Sequence, residues 1–196
     1  MMRDYLPLAD TILQENVTYL RPLQVLPARV KLDDVALNVM TDFKKVTAAT
    51  IDANVTMETA NAVMIKRGVR LLLVVEREVV TGIITAADIL CEKPLKLIQE
   101  RGITHSEIMV SDIMTPRDRL EVINIKDVME VKVGHVVATL KKAGRQHAVV
   151  VEVDEAGKQI LRGLFSATQI ARQLGVQIRT TEVARTFAEI EAILNH

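Results

Sequence analysis

One strand-to-helix turn is written twice in this chain. Gly82-Ile83-Ile84-Thr85-Ala86-Ala87-Asp88 recurs as Gly163-Leu164-Phe165-Ser166-Ala167-Thr168-Gln169, and that duplication constrains the fold more than any other feature. Two similar units with one apolar face each bury it most simply against one another, because two copies are too few for a stacked solenoid. The repeat extends beyond the turn. Val39-Met40-Thr41 is matched by Ile113-Met114-Thr115, and Gly68 ahead of one apolar run is matched by Gly144 ahead of another. The separations are 74 residues for Met40 and Met114, 76 for Gly68 and Gly144, and 81 for Gly82 and Gly163. Most of the growth falls in Asp154-Glu155-Ala156-Gly157-Lys158, a turn-forming stretch that reads as a longer hairpin connection than the one around Glu76-Arg77-Glu78.

Both units give the same order of elements. In the first, Thr56 is placed to cap a helix over 57–66, with Ala60, Val63, Met64 and Arg67 at helical spacing and Gly68 as its stop. Strands over 71–75 and 79–84 follow, then a short helix after Thr85. In the second, Val136, Val137, Leu140 and Ala143 form the helical stripe that Gly144 ends. Strands over 147–151 and 160–165 lead to a helix over 167–174. The resulting division is an N-terminal extension (1–32), a first module (33–91), a connector (92–108) with a short helix around 95–100, a second module (109–174) and a C-terminal extension (175–196). In that last part Ala184, Phe187, Ile190 and Leu194 recur at three or four, which predicts a helix docked on the modules or on a second subunit.

Composition narrows the function classes. Of 196 residues, 49% are hydrophobic but only 3% aromatic, so the core must be built from Val, Ile, Leu, Met and Ala. Lys plus Arg and Asp plus Glu both number 25, which leaves no broad positive field for a nucleic acid or an anionic membrane. The apolar runs suit buried strands and fall far short of a bilayer span. Asp4 and Asp10 interrupt the start of the chain, so no secretory peptide is expected. Cys91 is the only cysteine; a disulfide within the chain is impossible, and the cytoplasm is the expected compartment.

The paired Met-Thr segments, the helix-Gly-strand-strand order and the two Gly-hydrophobic-hydrophobic-Thr/Ser turns resemble the cystathionine-β-synthase (CBS) domain family in its tandem arrangement, over about residues 33–174. The resemblance implies an α+β fold in which two β-α-β-β-α modules pack through their sheets as a pseudo-two-fold pair. It also implies two clefts that take adenosine-containing ligands, and a homodimer. By the same likeness residues 46–51 would line an adenine pocket, with Thr50 and Ile51 as contacts. The expected ligand is AMP, ADP or ATP, acting as a regulator; no cofactor is required.

The chemistry of the first turn suits such a ligand. The carboxylate of Asp88 at a helix start can accept two hydrogen bonds from vicinal ribose hydroxyls, while Thr85 offers its hydroxyl and the helix N-terminus favours a phosphate. A plainer reading stands beside it: Thr85 to Asp88 fits a capping box, in which the helix satisfies its own first donors. Ser166 and Gln169 fit the same rule. Capping explains both copies, whereas ribose binding explains why one should be Asp. An amide lacks the charged double acceptor, which makes Ser166 and Gln169 a weaker second site.

A phosphate needs a cation. Arg145 follows the helix-ending Gly144, and family likeness lets a basic residue there reach the other module's nucleotide; His147 lies two residues on, and Arg70 is the first module's weaker counterpart. The alternatives are a surface arginine paired to an acid and a partly buried strand histidine. Asp42 and Asp118 are distant candidates for a divalent ion. His105, His135, His147 and His196 are scattered, with no HExxH motif and no Cys-His cluster, and neither GxGxxG nor GxxxxGK[ST] occurs. An enzyme is therefore not expected. The two readings left open are a regulatory or sensory module that binds an adenosine nucleotide in the first-module cleft and acts on a separate effector protein, and a structural or interaction dimer with no physiological nucleotide.

Overall fold

Continuous apolar residues in the paired runs give each unit a sheet with two buried faces, and the described residues, 24–176 of the computed structural model, form two four-stranded sheets. In chain order β1 (Met40–Asp42) and β2 (Thr50–Ile51) precede α1 (Met57–Arg67), β3 (Leu71–Glu76), β4 (Val79–Thr85) and α2 (Ala86–Leu90). The connection carries α3 (Lys93–Arg101) and α4 (Val110–Ile113). Then come β5 (Thr115–Pro116), β6 (Val122–Asn124), α5 (Ile125–Val128), α6 (Val133–Ala143), β7 (His147–Val153), β8 (Gln159–Ser166) and α7 (Ala167–Leu174). The two long helices end at Gly68 and Gly144, as their sequence predicts. Thr56 caps α1, its hydroxyl accepting from the Thr59 amide at 3.2 Å. The expected C-terminal helix over 181–194 lies outside the described residues.

Strand alternation divides the side chains between two layers of core. On one face of the first sheet Leu72, Val74 and Ile84 pack on Met57, Ala60 and Met64 of α1. On the corresponding face of the second, Val150 and Phe165 pack on Val136, Leu140 and Ile170. The opposite faces meet each other: Leu71, Leu73 and Ile83 lie against Phe43, Leu120 and Leu164. Each such side chain, when fully buried, contributes about 1.5–3 kcal/mol from the area it removes from water. The two modules are thus held by their shared apolar seam as a pseudo-two-fold pair, in the expected β-α-β-β-α pattern.

The sheet orders are β2-β3-β4-β5 and β1-β8-β7-β6, and they reveal an exchange that the repeat alone does not show. The Met-Thr segments were expected to open their own modules. Instead β1 runs antiparallel to β8, with Met40 opposite Phe165 and Asp42 opposite Gly163. In return β5 pairs with β4, with Thr115 opposite Ile83 and Pro116 opposite Gly82. Flanking residues follow the strands: Val39 and Met40 are buried in the second module's core, whereas Ile108, Val110 and Ile113 are buried in the first's. The exchange explains the two repeated glycines. A Cβ on Gly82 would overlap the backbone oxygen of Thr115, and one on Gly163 that of Thr41. Each glycine admits the strand that the other module sends across.

Asp42, at the end of β1, is 5% exposed and bonds the guanidinium of Arg162 on β8. Arg162 also reaches Glu152 at 3.2 Å, and Glu152 pairs with Lys44 at 2.7 Å. Burial pushes the Asp42 carboxyl up, but the Arg162 bond and the Lys44 amide outweigh it and hold it below the usual carboxylate range. This corrects the divalent-ion reading of Asp42 and Asp118: Asp42 is consumed by an ion pair, and Asp118 stands exposed in a short helical turn.

Candidate functional site

Among the described residues, the pairing of the sheets leaves two sizeable clefts walled by both modules. The first opens beside α2. The Thr85 hydroxyl accepts from the Asp88 amide at 3.3 Å, and Asp88 Oδ2 in turn accepts from the Thr85 amide at 2.8 Å and the Thr85 hydroxyl at 2.6 Å. The capping box expected from sequence is therefore formed. Its consequence is an asymmetric carboxylate. Among the described residues Oδ2 is fully used, while Oδ1 accepts no hydrogen bond. Thr85 and Asp88 border a cleft of about 290 Å³, whose far wall comes from the second module through Leu120, Glu121, Arg145 and His147.

Arg145 stands where the phosphate reading needs a cation, but it is already paired with Glu121 at 3.1 Å. That pair is solvent-accessible, with Glu121 78% exposed, and pairs of this kind contribute about 0–1 kcal/mol. An incoming anion can therefore displace Glu121 at small cost.

The second cleft, about 350 Å³, opens beside α7, with Phe43, Val46, Leu71, Leu73 and Leu164 in its walls. Here the copied turn is only half a capping box. Ser166 Oγ accepts from the Gln169 amide at 3.5 Å, but the Gln169 side chain does not return the bond. Its Oε1 accepts from Thr41 Oγ1 and its Nε2 donates to Gln173, both at 3.4 Å. Gln173 then ties the preceding segment to the module, donating to the Pro27 and Asn38 carbonyls at 2.8 and 3.0 Å. The expected reciprocal box at Ser166 and Gln169 gives way because the amide serves α7 and the exchanged strand.

Two sequence-derived contacts need relocation. Thr50 is exposed and Ile51 packs toward the first module's core, so neither lines either cleft. Val46, Thr47, Ala48 and Ala49 do line one, but it is the cleft beside Gln169 and not the one beside Asp88. The reason is geometric: β2 lies at the outer edge of its sheet, next to β3, and the chain leading to it crosses in front of the second module's turn. Arg70 likewise borders the Gln169 cleft, together with Ser166.

His147 borders both clefts. It sits opposite Ser166 on β8, the place that Leu71 holds opposite Thr85 in the first sheet. It is therefore an imidazole set into a seam that is otherwise apolar. Burial, and after it the charge of Arg70, lowers its pKa from 6.5 to about 4, which keeps the ring neutral at pH 7. The other described histidines have local roles: His105 pairs with Glu58 at 3.2 Å, and His135 lies in the first turn of α6 and accepts from the Lys132 amide at 3.2 Å. Among the described residues no group of three or more His, Cys, Asp or Glu could hold a metal ion, and no helix is long and apolar enough to cross a membrane.

Reading the sequence missed Glu121, Leu120 and Arg172 as cleft residues. Arg172 had a signal, since it lies three and four residues after Gln169 and Thr168 on one helical face. Glu121 had none, because its approach to Arg145 depends on how β6 is laid beside β7.

Comparison with known proteins agrees with this fold. The sequence model of the CBS domain matches residues 35–93. No curated protein matches the chain. Among solved structures, an uncharacterised conserved protein from Pyrococcus horikoshii is similar at 19% identity with a TM-score of 0.52, covering 78% of this chain and 100% of that one. The CBS domain pair of protein MJ0100, solved in complex with 5′-methylthioadenosine and S-adenosyl-L-methionine, is similar at 19% identity with a TM-score of 0.50, covering 73% of this chain and 97% of the other.

Proposed function

We propose that this chain, which is a tandem CBS-domain protein, is a sensory module that takes an adenosine-containing ligand in the Asp88 cleft and performs no turnover. One observation carries the reading. Asp88 is anchored through one oxygen, and the other, Oδ1, accepts no bond from any described residue at the edge of a 290 Å³ cleft. A carboxylate oriented in this way accepts from a ribose hydroxyl without having to be reordered first. Leu120 and Ile83 supply apolar wall for a base, and Arg145 can leave Glu121 for a phosphate. AMP, ADP or ATP meets all three requirements. The ligands of MJ0100 add support, since both contain adenosine and that protein shares the fold. The ligand bridges α2 of one module and the strand-leading residues of the other, so its affinity is expected to depend on how the modules pack.

The test is isothermal titration of AMP into wild-type protein and Asp88→Asn. The amide keeps an acceptor for the cap but loses the charge, so helicity should hold while affinity falls severalfold, or about 1 kcal/mol. Equal affinities in the two proteins would remove the ribose assignment and leave Asp88 as a helix cap.

A further inference from the structure

The Gln169 cleft carries a second, chemically different inference. It is the larger of the two, about half of its described lining residues are aliphatic or aromatic, and none of those described is an acid. Two guanidinium groups border it, Arg70 from the first module and Arg172 from α7 of the second. Neither forms an ion pair among the described residues, in contrast to Arg101, Arg145 and Arg162, which all do. Arg70 is partly buried, and a partly desolvated cation without a counter-ion is costly until an anion meets it. Its field already reaches His147. The N-terminus of α7, an eight-residue helix, opens on the same cleft through Ser166 and Thr168 and adds donors of the same sign.

The cleft lacks what a sugar needs. Gln169 stands where the first module has Asp88, and both ends of its amide are engaged by Thr41 and Gln173. Among the described residues no carboxylate lines it to meet a vicinal diol. We propose that the Gln169 cleft holds an amphiphilic anion, an apolar body bearing one phosphate or carboxylate and no ribose, whose head group is bound by Arg70 and Arg172. The apolar body lies along Phe43, Val46 and Leu73, and the anion joins the two modules from the side opposite Asp88. This assignment does not rest on the adenosine reading of the first cleft.

The probes are 1-naphthyl phosphate, 1-naphthoate and the neutral parent 1-naphthol, followed by titration calorimetry of the full chain. At least one of the two anions should bind saturably with one site per chain, weaken as salt is raised, and exceed 1-naphthol by tenfold or more. The tighter anion identifies the head group as phosphate or carboxylate. Arg70→Gln and Arg172→Gln should each lower that affinity at least tenfold while leaving AMP affinity within twofold; Asp88→Asn should do the reverse. Because Arg172 is exposed and unpaired among the described residues, Arg172→Glu should still fold, which circular dichroism would verify, and should abolish binding of the anion. The proposal is overturned if neither anion binds at millimolar concentration, if 1-naphthol binds equally well, or if the arginine variants bind as wild type does.

Discussion

The two clefts come from one repeated turn, yet they differ in the sign of what they offer. Beside α2 stand Asp88, Glu121 and an arginine already engaged by Glu121; beside α7 stand Gln169 and two arginines that no described acid engages. The scaffold underneath is the same in both, down to the registers of β3 with β4 and of β7 with β8, each with an irregularity just beyond the glycine. Duplication fixed the shape of the clefts, and a handful of side chains then set their chemistry. The lesson is that one cleft cannot be read from the other, even where the backbones match.

The largest effects should come from attacking what the two halves share. Gly82→Ala and Gly163→Ala each force a methyl group into the backbone of a crossing strand, and each should destabilise the protein by about 3 kcal/mol. Urea unfolding of both variants would show whether the damage is equal, as the symmetry requires. Next comes conversion of one cleft toward the other. Gln169→Asp brings a carboxylate to the cleft of Arg70 and Arg172, gains a reciprocal cap and loses the links to Thr41 and Gln173; affinity for a naphthyl anion should drop about tenfold, or ~1.4 kcal/mol. Unchanged anion affinity would mean that the two clefts do not differ by charge.

A subtler difference lies in the seam. His147 has a folded pKa of about 4, below the unfolded value of 6.5, so between those values the unfolded chain binds more protons. The histidine's contribution to stability is therefore intact above pH 6.5 and lost as the pH falls toward 4. His147→Leu restores the residue type that Leu71 supplies on the other side of the pseudo-axis, and melting curves of that variant should be flatter by a few degrees across this window. The carboxylates overlap only the acid end of this window: Asp42 and Asp112 are held below 3.8 and Glu107 and Glu152 below 4.5, so their contributions fade as the pH drops past those values and the comparison is read above about pH 5. The smallest effect concerns the two hairpins. Arg77 and Glu78 turn with φ of +47° and +65°, the left-handed region that costs a side chain roughly 1 kcal/mol, whereas the longer partner loop places Gly157 at φ +79°. Glu78→Gly should stabilise the protein by up to about 1 kcal/mol, measurable as a shift of the urea midpoint.

What could be read in the sequence was local. Thr56 with Gly68 bounded one helix, Gly144 ended the other, and the periodicity of 71–75 and 147–151 gave the central strands. Thr85 with Asp88 announced its cap, and Asp154 to Lys158 announced a loop, which closes through Asp154 Oδ1 accepting from the Ala156 and Lys158 amides at 3.0 and 2.8 Å. What could not be read was who pairs with whom. Nothing in Met40-Thr41 says that its partner is Phe165 rather than a strand of its own module, because edge pairing depends on the packing of both sheets. Thr50 and Ile51 were misplaced for the same reason: assigning them to Asp88 supposes that each module builds its own cleft, and here the walls cross over. The Asp42–Arg162 pair spans 120 residues of sequence and left no trace in either neighbourhood.

That crossing of β1 and β5 bears on how the molecule could come apart. Cut within the connector, the chain would yield two fragments that each carry the rung missing from the other, so neither would complete its own sheet and the mixture would be expected to reassemble. The same arrangement gives two whole molecules a ready path to trade halves: β1 of one could seat on β8 of its neighbour with no new contact invented.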